Sequence, residues 1–212
     1  MKKAIYSVII GDYDHLQQAP KQPGWDCYLY TDQNFTDSKG WCIIPVPVSK
    51  NPKLDSRRYK ILSHNYLKDY DLVCYVDANY TVIGELPDYP MRFLHGQRKT
   101  VMDECDQVLR LKKETRKNID YLKEYIGNFN YPIYSDFLLQ NGFFIRFQDP
   151  FSNMLHDYWF WLTQLITCRD QLTLPVAIKT LPLDLEKHYY YYSLPLENHH
   201  HKKYFQKVTN HK

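Results

Sequence analysis

Asp77 and Asn79 stand two positions apart, with Ala78 between them, directly after the apolar run Leu72-Val73-Cys74-Tyr75-Val76. Two oxygen-bearing side chains at that spacing can jointly hold a hard divalent cation. Mg²⁺ in particular is usually held by one or two carboxylates, with substrate phosphates completing its shell. The same pattern is also ordinary turn chemistry, because Asp and Asn bond their own backbone two residues on. Ligands in open α/β sheets do gather beyond the carboxyl ends of the strands, but taken alone the pair reads more readily as a turn. Other residues that could do chemistry are Gly11-Asp12-Tyr13-Asp14, Arg57-Arg58-Tyr59-Lys60, Asn141-Gly142, Asp170-Gln171 and His199-His200-His201-Lys202-Lys203. Each has a plainer use: a left-handed turn at Gly11, an exposed helix face at Arg58 and Lys60, a helix cap at Asp170, a trailing tail at the histidines.

Positioning these residues requires a sheet. Residues 4–10 (AIYSVII) read as a first strand ending at the Gly11 turn, residues 25–30 (WDCYLY) as a second, and residues 41–46 as a third, shorter one before Pro45 and Pro47 interrupt it. A helix over residues 55–67 follows, with Asp55 suited to cap it and Tyr59, Leu62 and Tyr66 at three- and four-residue spacing. The strand ending at Asp77 comes next. The order strand, strand, strand, helix, strand predicts an α/β fold with a mainly parallel sheet flanked by helices. Residues 102–126 form a polar, periodic inserted helical pair, with Gly127 as the residue that stops it. Residues 142–147 (GFFIRF) give another strand, residues 153–166 a helix with Trp159 on its apolar side, and residues 169–179 a helix carrying Pro175 as a fault. A last short strand is expected over residues 181–185, and the tail, residues 189–212, has no clear period.

With 212 residues, 44% hydrophobic and 24% charged, the chain is expected to form one domain. Its 20 tyrosines and 4 tryptophans suit a polar, ring-shaped ligand such as a sugar or base, and equally a tyrosine-rich core. A net charge of +3, without a basic run interleaved with aromatics, argues against nucleic acid as a partner. The cysteines at 27, 42, 74, 105 and 168 are odd in number and form no Cys-x-x-Cys, which fits a reducing, cytoplasmic setting. The chain opens straight into a strand, and no apolar run approaches transmembrane length.

Taken in order, Arg57-Arg58-Tyr59-Lys60, Tyr75-Val76-Asp77-Ala78-Asn79, Gln140-Asn141-Gly142-Phe143-Phe144-Ile145, Arg169-Asp170-Gln171-Leu172 and the late His-Lys cluster resemble the retaining GT-A-fold transferases of glycosyltransferase family eight. Those carry an Asp-x-Asp strand end, an Asn-Ala-Gly strand, an Asp-Gln pair and a C-terminal His with a nearby Lys. The chain resembles more closely a glycosyltransferase-like family of bacterial polysaccharide loci and plant Golgi proteins, with Arg-x-x-Lys, Ile-Asp-(Gly/Ala)-Asn and Arg-Asp-Gln motifs. The likeness spans roughly residues 4–205, and the order of the short motifs carries it. Here Asn79 replaces the second Asp, Asn141 abuts Gly142 directly, and residues 102–130 have no aligned counterpart.

The resemblance implies a GT-A-like, Rossmann-like domain that transfers a hexose from a UDP-sugar to a saccharide acceptor, with retention of configuration. It implies Mn²⁺ or Mg²⁺ on Asp77, Asn79 and one of His199, His200 and His201, and phosphate or donor contacts from Arg58, Lys60 and either Lys202 or Lys203. Gly11, Asp12 and Tyr13 would receive base and ribose. Asp170 and Gln171, with Asn141, would face the donor sugar as the catalytic group. The segment around His199–Lys203 would fold over the diphosphate as a lid, removable without loss of the fold. Two other functions compete: a non-catalytic carbohydrate- or nucleotide-binding module, and a sugar-nucleotide nucleotidyltransferase. The second needs a Gly-rich basic phosphate loop, whereas the turn after the first strand is acidic with one Gly.

Overall fold

The computed structural model of the chain describes residues 1–94, 100–129, 138–181 and 201–208. Its strands are β1 (Lys3–Ile9), β2 (Trp25–Thr31), β3 (Cys42–Pro45), β4 (Leu72–Val76), β5 (Tyr80–Val82), β6 (Met91–Leu94), β7 (Leu139–Phe147) and β8 (Phe205–Lys207). The helices are α1 (Pro52–Ile61), α2 (Val101–Arg110), α3 (Arg116–Gly127), α4 (Pro150–Leu165), α5 (Asp170–Thr180) and the single turn α6 (His201–Tyr204). Six strands form one sheet in the order β3-β2-β1-β4-β7-β6, and β5 pairs with β8 in a separate ribbon. From β3 to β4 the neighbours run parallel, while β7 is antiparallel to both β4 and β6. This mixed α/β architecture, with a mostly parallel six-stranded sheet, is compatible with a Rossmann-like fold.

Side chains of a strand alternate between the two faces of the sheet. Ala4, Tyr6 and Val8 of β1, with Val73 and Tyr75 of β4, join a core built with residues of α1 to α5. Ile5 and Ile9, with Leu72, Cys74 and Val76, join the other core, where the cover is Leu16, Trp41, Leu86 and the β8 residue Phe205. Helices α1 to α5 therefore line one face, and loops with α6 and the β5–β8 ribbon line the other. β4 is buried along its whole length, as its unbroken apolar run requires of a central strand.

Several boundaries differ from expectation. Helix α1 starts three residues earlier, because Asn51, and not Asp55, is its cap: the Asn51 side chain accepts from the Leu54 N–H, and Pro52 fills a first-turn position. It ends at Ile61, and a tight turn over Ser63–Asn65 replaces its expected last stretch. The inserted segment is two helices: Thr100 and Asp103 form a reciprocal capping box on α2, and the Thr115 side chain caps α3. Gly127 is the last helical residue, and Asn128 caps the end. Strands β5, β6 and β8 were not expected. Leu181 closes α5 and does not begin a strand; residues 182–185 lie outside the described residues, as does most of the tail.

Candidate functional site

Because β1 to β4 are parallel, Gly11, Thr31 and Asp77 all leave the sheet at the same end. β7 arrives there from the opposite direction, and the Asp77 N–H donates to the Gly142 carbonyl at 2.7 Å. Asp77 thus sits where a central parallel strand meets an antiparallel one. A tight turn follows it, with the Tyr80 N–H bonded to the Asp77 carbonyl at 2.9 Å. The turn expected of Asp77-Ala78-Asn79 is therefore present, at the carboxyl end of a central strand.

Four charged side chains meet at this point. The Lys60 Nζ lies 2.7 Å from Asp170 Oδ2 and 3.6 Å from Asp77 Oδ1, and the Arg57 Nε lies 3.1 Å from Asp170 Oδ1. The Lys60 and Asp170 side chains are 3% and 6% exposed, so this pair is shielded from water and from salt. Lys60 also stands 4.7 Å from the centre of the Tyr75 ring, and the Tyr75 hydroxyl donates to Asp77 Oδ1. Burial, and then the Asp77 carboxylate, push the Tyr75 hydroxyl well above its ordinary pKa, so it stays a proton donor. Burial alone would raise the Asp170 carboxyl, but Arg57 and Lys60 outweigh it and hold the group far below the usual carboxylate range. Two cations and two carboxylates meet here, so the formal charges of the cluster balance.

The backbone of Asp170 is fixed separately. Trp159 Nε1 donates to the Asp170 carbonyl and to Thr173 Oγ1, both at 3.1 Å. Asp170 occupies the first turn of α5, where the amide dipoles favour a negative charge. Its carboxylate points at Arg57 and Lys60, and no side chain caps the helix. Gln171 Nε2 donates to the Leu139 carbonyl at 3.3 Å and so ties α5 to the start of β7.

Arg58, expected in the site, is directed elsewhere. It pairs with Asp55 at 3.5 Å, has a side chain 44% exposed, and lies 6.0 Å from the Phe160 ring centre. Arg57 takes its place. Helical geometry explains the exchange, since positions three apart share a face and positions two apart do not. The Arg-x-x-Lys spacing of Arg57 and Lys60 carried that signal. Tyr75 was also legible in principle, because residues two apart on a strand share a face.

Asn141 is 2% exposed, and neither of its amide atoms finds a hydrogen-bond partner among the described residues. A buried amide left so is costly unless something else bonds it. Beside it, a Cβ on Gly142 would lie 3.1 Å from the Tyr80 ring and 3.2 Å from Asp77 Oδ2, so this glycine lets Asp77 and Tyr80 come close. Gln140 Nε2 donates to the Tyr80 hydroxyl at 3.0 Å.

Gly11 has φ +69°, the left-handed turn that glycine accommodates. Its N–H donates to both oxygens of Asp32, at 2.9 and 3.2 Å. Tyr13 is half exposed, and its N–H returns to the Gly11 carbonyl at 2.9 Å. Gly11, Asp12 and Tyr13 therefore share the sheet end with Asp77. Lys202 is exposed on α6, whose chain runs on into β8. β8 pairs with β5 in the register Tyr80↔Lys207, and the Val208 N–H bonds the Asn79 carbonyl at 2.9 Å. His199 lies outside the described residues.

Among the described residues no group of three His, Cys, Asp or Glu side chains converges as a ready-made metal cage. Asp77 spends Oδ1 on Tyr75 and Lys60, and its Oδ2 faces Gly142. Asn79, 3% exposed, is the other oxygen-bearing side chain of this turn. This all-oxygen set fits a hard cation that takes its remaining ligands from phosphate, and does not fit a soft or tetrahedral metal. No helix among the described residues is long and apolar enough to cross a membrane. No protein-family model matches the chain, and no curated protein matches it significantly.

Proposed function

We propose that the chain is a GT-A-like glycosyltransferase that moves a hexose from a UDP-sugar to a saccharide acceptor, assisted by Mn²⁺ or Mg²⁺. One observation carries the reading: Asp77 and Asp170, far apart in the sequence, share the buried Lys60 at the carboxyl end of the sheet. Asp77 Oδ2 and Asn79 would hold the cation, which supplies positive charge to the departing diphosphate. Arg57 and Lys60 would be preorganised cations beside it, held in place by Asp170 before substrate arrives. Asp170, kept ionised, would stabilise positive charge developing at the reacting sugar carbon. The Asn141 amide, which finds no partner among the described residues, lies next to the close approach at Gly142 and would bond sugar hydroxyls. The Gly11-Asp12-Tyr13 turn would take the base and ribose.

A panel of UDP- and GDP-sugars, incubated with Mn²⁺ and mono- and disaccharide acceptors, tests the reading. One or more UDP-sugars should release nucleotide, and the release should fall when EDTA replaces Mn²⁺. Absence of release from every sugar nucleotide, together with measurable binding of UDP, would move the reading to a non-catalytic binding module.

A further inference from the structure

An open groove lies on the helical face of the sheet, over β2 and the edge strand β3. β2 presents Asp26, Tyr28 and Tyr30 on one face by its two-residue alternation. With Ile44 of β3 and the turn from Asn65 to Tyr70, they line this groove of about 620 Å³. That volume falls within the roughly 300–1,000 Å³ of ordinary ligand sites.

The lining has a particular chemistry. Tyr66, 39% exposed, packs its ring 4.8 Å from Tyr59, which stacks 5.5 Å from Tyr30. At the other end the Tyr70 hydroxyl donates to Asp26 Oδ2 at 2.7 Å and meets the Tyr28 hydroxyl at 2.7 Å. A carboxylate only accepts, so Tyr70 gives its single proton to Asp26 and Tyr28 must donate to Tyr70. The chain of bonds runs one way and leaves acceptor lone pairs on Tyr28 and Asp26. Asp69 adds a second carboxylate to the lining, and Lys2 and Lys68 add ammonium donors.

We infer that this groove binds a neutral oligosaccharide. Pyranose rings present apolar C–H faces, which match aromatic ring faces, and a rim of hydroxyls that both donate and accept. The tyrosine rings supply the first match; the carboxylates, tyrosine oxygens and lysines supply the second. Asp26 and Asp69 offset Lys2 and Lys68, so the lining has no net positive charge to hold a phosphorylated ligand. An aliphatic helix is disfavoured by a lining in which Ile44 and Leu67 are the aliphatic members. The inference does not rest on the transferase reading, because none of the groove residues belongs to the Asp77–Lys60–Asp170 cluster.

Isothermal titration of the full chain with maltohexaose, cellohexaose and β-1,4-galactohexaose tests it. At least one hexasaccharide should bind, and Tyr66→Ala and Asp69→Ala should each weaken it by about tenfold or more, as expected for loss of one stacking or charge-assisted contact. Asp170→Asn should leave that affinity unchanged. Failure of all three sugars to bind would overturn the inference, as would binding indifferent to both groove variants. Binding lost in Asp170→Asn but kept in Tyr66→Ala would assign the sugar to the other site and overturn it equally.

Discussion

Asp170 separates a structural role from a chemical one. Its carboxylate meets Arg57 and Lys60 with both oxygens, so Asp170→Asn removes one charge from a balanced set of four. Turnover should fall by roughly 10²-fold, as for other preorganised electrostatic groups. Because the folded pKa is depressed, the stability contributed by Asp170 is present above the unfolded carboxyl value of about 4 and is lost as pH falls toward the folded one. Urea melts of the wild type should therefore weaken as pH drops below about 4, and the Asn variant should show a flatter profile there. Equal slopes for the two proteins would place the acid sensitivity elsewhere. The adjacent arginines give a cleaner contrast. Arg57→Ala should lower both UDP-sugar turnover and melting temperature, because it strips a buried carboxylate of one partner. Arg58→Ala breaks an exposed i,i+3 pair worth about 0–1 kcal/mol at most and should change neither appreciably. A larger loss of turnover in Arg58→Ala than in Arg57→Ala would reverse the assignment.

Among the elements, β8 alters the expectation most. A C-terminal lid that could be removed without loss of the fold does not agree with its packing. Phe205 is 2% exposed and stacks 4.3 Å from Phe143, beneath the sheet face opposite the helices. The backbone of Lys203 also passes so close to Gly84 that a Cβ there would lie 2.2 Å from the Lys203 carbonyl oxygen. Phe205→Ala should cost about 3–5 kcal/mol and lower the melting temperature by roughly 10 °C. Gly84→Ala should also destabilise, by forcing the two backbones apart. A truncation that ends before β8 and melts like the wild type would contradict this packing. The strands foreseen from sequence were β1 to β4 and β7, each of which carries an apolar run or alternation of its own. β5 and β8 escaped because each is three residues long and gains its place only by pairing with the other. No local period can announce such a pair. The start of α1 was legible in principle from Asn51-Pro52, a cap followed by proline, though Asp55 was the more conspicuous carboxylate.

At the scale of the whole molecule, the parallel order of β1 to β4 followed from the strand-helix sequence, and with it the placing of Gly11 and Asp77 at one sheet end. The antiparallel entry of β7 did not follow, because the direction of a strand is set by the path of the chain before it. That entry is what brings Asn141 and Gly142 to Asp77. The meeting of Asp170 with Lys60 is likewise a product of α1, α4 and α5 packing on one face, and sequence could suggest it only through motif order. Lys60 serving both carboxylates is the feature on which the proposed transferase role rests. Lys60→Met keeps most of the buried stem while removing the charge. The direct test is the rate of nucleotide release from the preferred UDP-sugar, with Mn²⁺ and acceptor, by wild type and by Lys60→Met. The account predicts turnover by the wild type and a loss of roughly 10²-fold or more in the variant, in line with removal of a preorganised cation. Turnover by Lys60→Met at the wild-type rate would contradict it.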